Sequence, residues 1–171
     1  FRKSFRSEKS FKLIEKLAEE KSWLKKGLEF LYGNDANIVG FAVKESKPVT
    51  NVSVERKLEG TDTVTWKITY NGKENLNNVI VYDEVPKSFA DDADKINVES
   101  DFDTEVVEKD PVFLFDVGEF ETGNEYGFTY KLKEGKVSED VLKEFKDPII
   151  LSTPDKPVSK WWKYWWLFVL L

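Results

Sequence analysis

The stretch Thr63–Tyr70 alternates between apolar and polar residues, and this pattern constrains the fold more than any other feature. Its even positions hold Val, Trp, Ile and Tyr, while Thr and Lys lie between them. That period of two is typical of a β-strand with one buried face. A second β-rich run, Leu76–Pro86, follows the dipeptide Asn71-Gly72, whose residues tolerate positive φ. We therefore expect Thr63–Phe89 to form two strands joined by a turn, a building block of a β-sandwich.

Other segments complete the predicted secondary structure. Leucines recur at helical spacing before Gly33, a residue type that readily ends helices, so we expect one helix from Phe11 to Tyr32. A short helix is predicted at Val141–Lys146, after Ser138 and two acidic residues. Further strands are predicted at Ile38–Val43, Val49–Leu58, Val112–Phe115, Tyr126–Leu132 and Ile149–Leu151.

The predicted helix Phe11–Tyr32 is amphipathic, and its leucine stripe allows two interpretations. In the first, the helix covers the chain's own sandwich, as most amphipathic helices cover their own core. In the second, it docks on a partner protein or lies on a membrane. The candidate partner-docking residues of this second interpretation are Leu24, Leu28 and Leu31.

The composition excludes several kinds of site. The 171-residue chain has no Cys, so disulfides, thiolate metal sites and a cysteine nucleophile are ruled out. It has no His, which removes the most common metal ligand and the usual general base near neutral pH. Met and Gln are also absent, while Lys (23) and Glu (19) are abundant, a bias of hyperthermophile proteins. We expect a hot-adapted, archaeal source.

Charge is distributed unevenly along the chain. Residues 1–33 hold nine Lys and Arg against five Asp and Glu, whereas residues 34–160 hold 16 against 27. An acidic body argues against a nucleic-acid partner, because phosphates require a basic face. The basic start fits an anionic lipid or protein surface, although such residues more often form the solvated side of a helix.

Aromatic residues crowd the end of the chain. Four of the six Trp lie within six residues, beside two lysines and directly before an apolar run that ends at Leu171. Indole and phenol rings favour the headgroup layer of a bilayer. The run is far shorter than the ~20 apolar residues that span a membrane, so we expect the start of a membrane anchor. Dipping into one leaflet and packing on a partner protein are the alternatives. The candidate membrane-interface residues are Trp161, Trp162, Tyr164, Trp165 and Trp166.

Two further features are candidates for modification or metal binding. Asn51-Val52-Ser53 is a sequon, so Asn51 is a candidate glycosylation site if the chain lies outside the cell. The region 90–108 is acidic, with carboxylates that alternate as on one exposed strand face. Such a region attracts Ca²⁺, but it lacks the Gly-centred spacing of a calcium loop, so solvated surface is the main expectation. The alternating residues are Glu99, Asp101, Asp103 and Glu105.

Two motifs between residues 49 and 133 carry a family resemblance. The first is a strand, an Asn-Gly turn and a second strand ending in Asp-x-x-Pro; the second is an aromatic-Asp-Val-Gly segment followed by a Gly and a strand. Their residues are Trp66–Tyr70, Asn71, Gly72, Asn78–Tyr82, Asp83 and Pro86, then Phe115–Gly118, Gly123 and Phe128–Tyr130. In these motifs the chain resembles the archaeal and bacterial surface repeat called "domain of unknown function eleven" and related S-layer-type and CARDB-like sandwiches.

The resemblance implies an immunoglobulin-like β-sandwich outside the cell, near a membrane or wall anchor and without catalytic residues. The expected fold class is therefore mainly β, an immunoglobulin-like antiparallel β-sandwich with an N-terminal amphipathic helix and a C-terminal membrane-anchor segment. The helix occupies residues 1–33, the sandwich residues 34–153, and the stem with the start of the anchor residues 154–171. The acidic insert and the helices depart from the family pattern.

Catalytic motifs are missing from the sequence. It has no Walker loop, GxGxxG, nucleophile elbow or HExxH motif. Its neighbouring carboxylates, such as Asp83 and Glu84, lie in acidic segments, so we expect no acid held neutral in an apolar pocket. The chain begins with Phe rather than Met, so we expect a removed signal segment or a longer parent protein.

We therefore expect a non-catalytic, membrane-anchored, extracytoplasmic protein without cofactor or metal. Its expected partners are membrane lipid and other membrane or cell-surface proteins, in cell-surface structure or protein–protein interaction. The alternative is a non-catalytic accessory subunit of a membrane enzyme or transport complex. A third interpretation is a carbohydrate- or calcium-binding module that uses the acidic region.

Overall fold

The computed structural model describes residues 16–155, which are mainly β and form a helix layer and two antiparallel sheets. Residues 16–20 are helical and precede two longer helices. These are α1 (Ser22–Tyr32) and α2 (Ala36–Glu45). The strands are β1 (Lys47–Pro48), β2 (Val52–Glu59), β3 (Thr63–Tyr70), β4 (Leu76–Glu84), β5 (Ile96–Ser100), β6 (Asp103–Glu108), β7 (Val112–Phe120), β8 (Glu125–Leu132) and β9 (Ile149–Ser152). Short 3₁₀ helices lie at Ala93–Lys95 and Glu139–Lys143.

The two sheets share one aromatic core. The five-stranded sheet has the order β1-β9-β4-β7-β6, and the four-stranded sheet has the order β2-β3-β8-β5. Phe115 of β7 stacks on Phe128 of β8 with ring centroids 4.0 Å apart, and Trp66 of β3 lies 5.4 Å from the same ring. Because these rings come from both sheets and are buried, the sheets pack face to face.

The helix layer covers the outer face of the five-stranded sheet. Leu24 and Leu28 of α1 are fully buried in a second apolar cluster with Leu114 of β7 and Tyr82 of β4. The Tyr82 hydroxyl donates to the Leu24 carbonyl at 2.8 Å, and its ring lies 5.2 Å from that of Trp23. The central strands of this sheet are therefore buried on both faces, which explains their continuous apolar sequences.

The predicted strand pair Thr63–Phe89 has the right strands but the wrong pairing. β3 pairs with β2 and β8 in one sheet, whereas β4 pairs with β7 and β9 in the other. The Asn71-Gly72 dipeptide therefore begins a crossover between sheets instead of a hairpin. Neither residue has positive φ, and the Asn71 N–H continues the β2–β3 ladder to the Asn51 carbonyl at 2.8 Å.

The strand predicted at Ile38–Val43 is wrong, because this segment lies in helix α2. The Asp35 side chain caps the helix by accepting from the Asn37 and Ile38 N–H groups. Its buried residues Val39 and Ala42 are three apart, a spacing that a helix places on one face. A short apolar run fits a strand or a buried helix equally well, and here the cap and the packing decide.

The helix predicted over Phe11–Tyr32 is interrupted within its described part. Lys21 has an extended backbone, and α1 begins at Ser22. Leu17 before the break and Leu24 after it contact the same apolar cluster. The predicted end is confirmed, since Gly33 has a φ of 79° and its N–H bonds to the Glu29 carbonyl.

Candidate functional site

The candidate membrane-interface residues Trp161, Trp162, Tyr164, Trp165 and Trp166 lie outside the described residues. In the range 16–155, no helix combines the length and the apolar character that crossing a bilayer requires. The structure does show how the chain leaves the sandwich just before these residues.

The end of β9 is fixed to two layers. Thr153 donates from its N–H and its hydroxyl to the Asn78 carbonyl, each at 2.9 Å. Asn78 has a φ of 53° at a register irregularity in β4, and its amide donates to Asp155 at 2.7 Å. The Tyr32 hydroxyl at the end of α1 donates to the Pro154 carbonyl. The chain is therefore held against both the five-stranded sheet and the helix layer up to Asp155.

The candidate docking residues Leu24, Leu28 and Leu31 face the chain's own sheet. Leu24 and Leu28 are 0% exposed, and Leu31 packs partly buried against the same cluster. This is the packing of the first interpretation, in which the helix covers its own core. Leu24 and Leu28 are therefore inaccessible to a partner while α1 lies on the sheet, and docking through Leu31 stays a prediction.

The candidate glycosylation residue Asn51 is exposed in a bend before β2. Ser53 of the same sequon accepts a hydrogen bond from the Asn71 amide at 2.9 Å. The exposure leaves the Asn51 side chain accessible, and its glycosylation stays a prediction.

Three of the acidic residues predicted on one strand face lie on two strands, and the fourth, Asp101, lies in the bend between them. Glu99 belongs to β5 in the four-stranded sheet, and Asp103 and Glu105 belong to β6 in the other sheet. All three are exposed. Among the described residues no three carboxylates converge as a metal site. Nearby acids instead pair with lysines, as in Lys95–Asp91 at 2.7 Å and Lys109–Asp94 at 3.2 Å.

A carboxyl group is buried between the two sheets. Asp83 of β4 is 0% exposed, and the Tyr130 hydroxyl of β8 donates to its Oδ2 at 2.7 Å. Its Oδ1 has no hydrogen-bond partner among the described residues. Burial raises the pKa of Asp83 to about 7, against the opposing effects of the Tyr130 hydrogen bond and of Arg56. Asp83 is therefore buried in the core instead of lying on an acidic surface, and its neutral form predominates only below about pH 7.

The side chain of the next residue, Glu84, points to the opposite side of β4 and is partly exposed to solvent. It accepts from Lys21 at 2.9 Å and from Lys146 at 3.2 Å. Although partial burial opposes it, these hydrogen bonds hold the pKa of Glu84 below its ordinary value. Glu84 lines a cleft of about 400 Å³ at this end of the molecule, together with Trp23, Glu108 and Asp110 among others. Glu108 and Asp110 are paired with Lys26 and Lys87, so this cleft is rimmed by ion pairs.

Arg56 closes the edge of the sandwich near Asp83. Its guanidinium lies 4.2 Å above the Trp66 ring and donates to the carbonyls of Phe145 and Lys146 at 3.2 and 2.5 Å. Phe145 is buried and meets Trp66 edge-on at 5.7 Å. These contacts therefore hold residues 145 and 146, which follow the second 3₁₀ helix, against the edge of the sandwich.

The hydrogen bond between Tyr130 and Asp83 lies inside the core of the sandwich. Asp83 and Tyr130 are buried out of contact with water, so their hydrogen bond joins the two sheets. Sequence analysis singled out neither Arg56 nor the burial of Asp83. The signals existed, since Arg56 alternates with Val54 and Leu58 on the inward side of β2, and Asp83 follows an apolar run.

Comparison of the chain with models of known protein families finds no family that matches, and comparison with curated proteins finds no match either.

Proposed function

We propose that the chain is a non-catalytic, membrane-anchored, extracytoplasmic β-sandwich that acts in cell-surface structure or in contacts with other proteins. The observation that carries this proposal is the fixed end of β9. Hydrogen bonds from Thr153, Tyr32 and Asn78 hold the chain up to Asp155. Trp161 follows six residues later, so its Cα can be at most about 22 Å from that of Asp155, at ~3.3–3.6 Å per residue.

The immunoglobulin-like character belongs to the same proposal. Antiparallel strands of both sheets share a core around Trp66, and the chain crosses repeatedly between the sheets, as at β3–β4, β4–β5 and β7–β8. These features support a Greek-key sandwich of this kind. The resemblance to archaeal and bacterial surface repeats supports the extracytoplasmic placement.

The outer face of the four-stranded sheet supports a body that stands in water. Thr65, Lys67 and Thr129 alternate with core residues along β3 and β8. Lys67 pairs with Glu125 at 2.7 Å across the two strands. A polar sheet face of this kind suits solvent or a polar protein partner better than lipid.

The anchor is tested by flotation with lipid vesicles. The full chain is compared with a variant in which Trp161, Trp162, Trp165 and Trp166 are all changed to Ser, and with a matched variant in which all four are changed to Tyr. Because Tyr retains the preference for the headgroup layer, we expect the Tyr variant to float and the Ser variant to stay in solution. Equal flotation of the Ser variant and the unaltered chain would contradict the proposal.

The extracytoplasmic placement is tested with one cysteine, since the chain has none. Glu99→Cys, at an exposed position on β5, is treated with a membrane-impermeant maleimide in intact cells and in lysed cells. We expect equal labelling in both. Labelling only after lysis would place the sandwich on the inner side of the membrane.

A further inference from the structure

We propose that the outer side of the α1–α2 layer lies on an anionic bilayer, with Phe30 and Phe41 at the level of the lipid headgroups. This inference rests on the proposed function, because the anchor brings the sandwich to the membrane. It adds which side of the sandwich faces the lipid and which residues touch it.

The first observation is the exposure of two aromatic rings on the helices. Phe30 of α1 is 53% exposed and Phe41 of α2 is 51% exposed. Each lies two residues from a buried residue that faces the sheet, Leu28 in α1 and Val39 in α2. Two residues correspond to a turn of about 200° around a helix, so both rings point away from the sheet. Helices that lie in a bilayer interface bury aromatic and apolar side chains such as Phe at the headgroup boundary.

The second observation is the separation of charge. Residues 48–155, which form nearly all of the two sheets, hold 12 Lys and Arg against 25 Asp and Glu. Residues 16–47, which form the helix layer, hold six against five. The sheets therefore carry a large negative charge, whereas the helix layer is close to neutral. An anionic membrane therefore repels the acidic sheets electrostatically but does not repel the nearly neutral helix layer.

The two undescribed ends of the sequence add to this separation. Residues 1–15 hold five Lys and Arg against two Glu, and residues 156–171 hold three Lys and no acid. Basic residues near an anionic surface are attracted to it. Net positive charge is therefore found in residues 1–15 and 156–171, while the helix layer is close to neutral and the sheets are strongly acidic.

The third observation is where those two segments join the described structure. Residues 16–20 lead directly into the helix layer, with Leu17 packed in its apolar cluster. At the other end, the Pro154 carbonyl accepts from Tyr32, the last residue of α1. Both connections therefore meet the helix layer, and neither meets the outer face of the four-stranded sheet. The described chain therefore ends beside α1, the helix that carries Phe30.

The test uses single spin labels on the full chain bound to vesicles of phosphatidylglycerol and phosphatidylcholine. Gly40→Cys places a label beside Phe41, at an exposed position where no atom of residues 16–155 lies within 4 Å of an added Cβ. Glu99→Cys places the control label on the outer face of the four-stranded sheet. We expect an aqueous nickel quencher to reach the label at position 40 several-fold less than the label at position 99. Oxygen, which concentrates in lipid, should show the reverse order.

A second set of variants isolates the two rings. Phe30→Ser with Phe41→Ser should raise the nickel accessibility at position 40 while flotation persists through the tail. The matched control is Val106→Ser on β6, which removes another exposed apolar side chain, 45% exposed, and should change nothing. Thermal melts establish that each variant is folded.

The outcomes separate this inference from the proposed function. A chain that does not float with vesicles overturns both. A chain that floats while its label at position 40 is as accessible to nickel as the label at position 99 overturns only the orientation. Dipolar broadening of the position-40 label without vesicles would show that a second copy covers these rings, and it would overturn the lipid assignment too.

Discussion

The two sheets share one core but differ in what covers their outer faces. In the five-stranded sheet, Leu114 of β7 faces the helix layer and is 1% exposed, while its neighbour Phe115 faces the other sheet and is 0% exposed. In the four-stranded sheet, Trp66 of β3 is buried but its neighbour Thr65 faces outward. Alternation in sequence therefore reports one buried face, and a continuous apolar run reports two.

The largest expected effect comes from truncating an outward-facing residue in each sheet. Leu114→Ala leaves a cavity under the helix layer and should lower the free energy of unfolding by about 2–5 kcal/mol. Thr65→Ala removes a partly exposed side chain and should change it by no more than about 0.5 kcal/mol. Chemical denaturation of both variants measures the difference. Similar losses of stability at the two positions would show that the outer faces of the two sheets are equally buried, which would contradict this difference between them.

The same contrast between inside and outside separates two adjacent carboxyl groups. Asp83 lies between the sheets, and burial raises its pKa to about 7 from the ordinary value of 3.8. The folded protein therefore holds a proton on Asp83 that the unfolded chain loses above pH 3.8. The resulting stability is fully present below about pH 4 and declines as the pH rises towards 7. Asp83→Asn keeps an acceptor for Tyr130 and should remove this decline.

The expected size of that change is on the order of a few kcal/mol between pH 4 and pH 8. It is measured as the free energy of unfolding of Asp83→Asn relative to the unaltered chain at both pH values. Glu84→Gln is the matched control, because Lys21 and Lys146 hold the pKa of Glu84 below its ordinary value. Glu84 therefore contributes stability above its unfolded pKa that is lost on acidification, so its variant should show the opposite pH trend. Equal pH trends in the two variants would contradict the opposite environments of these residues.

The strands were predictable from the sequence to the extent that their patterns report local burial. The range of β3 was predicted from alternation, and those of β8 and β9 closely, because each pattern reflects burial along one strand. The pairing of β3 and β4 was not, since Asn71-Gly72 is compatible with either a hairpin or a crossover. Which strands pair with each other depends on packing between residues that are distant in sequence, and a local sequence pattern does not contain that information.

The helix layer and the buried polar residues were harder to predict for a related reason. Ile38–Val43 is too short for its period to separate helix from strand, although Asp35 was available as a capping signal. Asp83 lies in a segment that reads as acidic surface, and its burial follows from Tyr130, 47 residues away in sequence. The position of a polar residue inside or outside a sandwich depends on such distant partners.

The smallest expected effect concerns two glycines in the helix layer. One faces the five-stranded sheet and the other faces solvent, so they compare the covered and uncovered sides of this layer. Gly27 of α1 faces Tyr82, and a Cβ at this position would lie 2.3 Å from the Tyr82 ring. That ring is buried and hydrogen-bonded to Leu24, so it has little freedom to move. Gly40 of α2 is exposed, and in the described part of the chain no atom lies within 4 Å of an added Cβ.

Ala should therefore have opposite effects at the two positions. Gly27→Ala should lower the free energy of unfolding by about 1 kcal/mol or more, because overpacking of ~1–3 kcal/mol exceeds the gain in helix propensity. Gly40→Ala should raise it by about 0.5–1 kcal/mol, since only the propensity gain remains. Thermal melts of the two variants compare them directly. If Gly27→Ala proved more stable than the unaltered chain, α1 would not lie close against β4. The five-stranded sheet would then not be buried by the helix layer on its outer face.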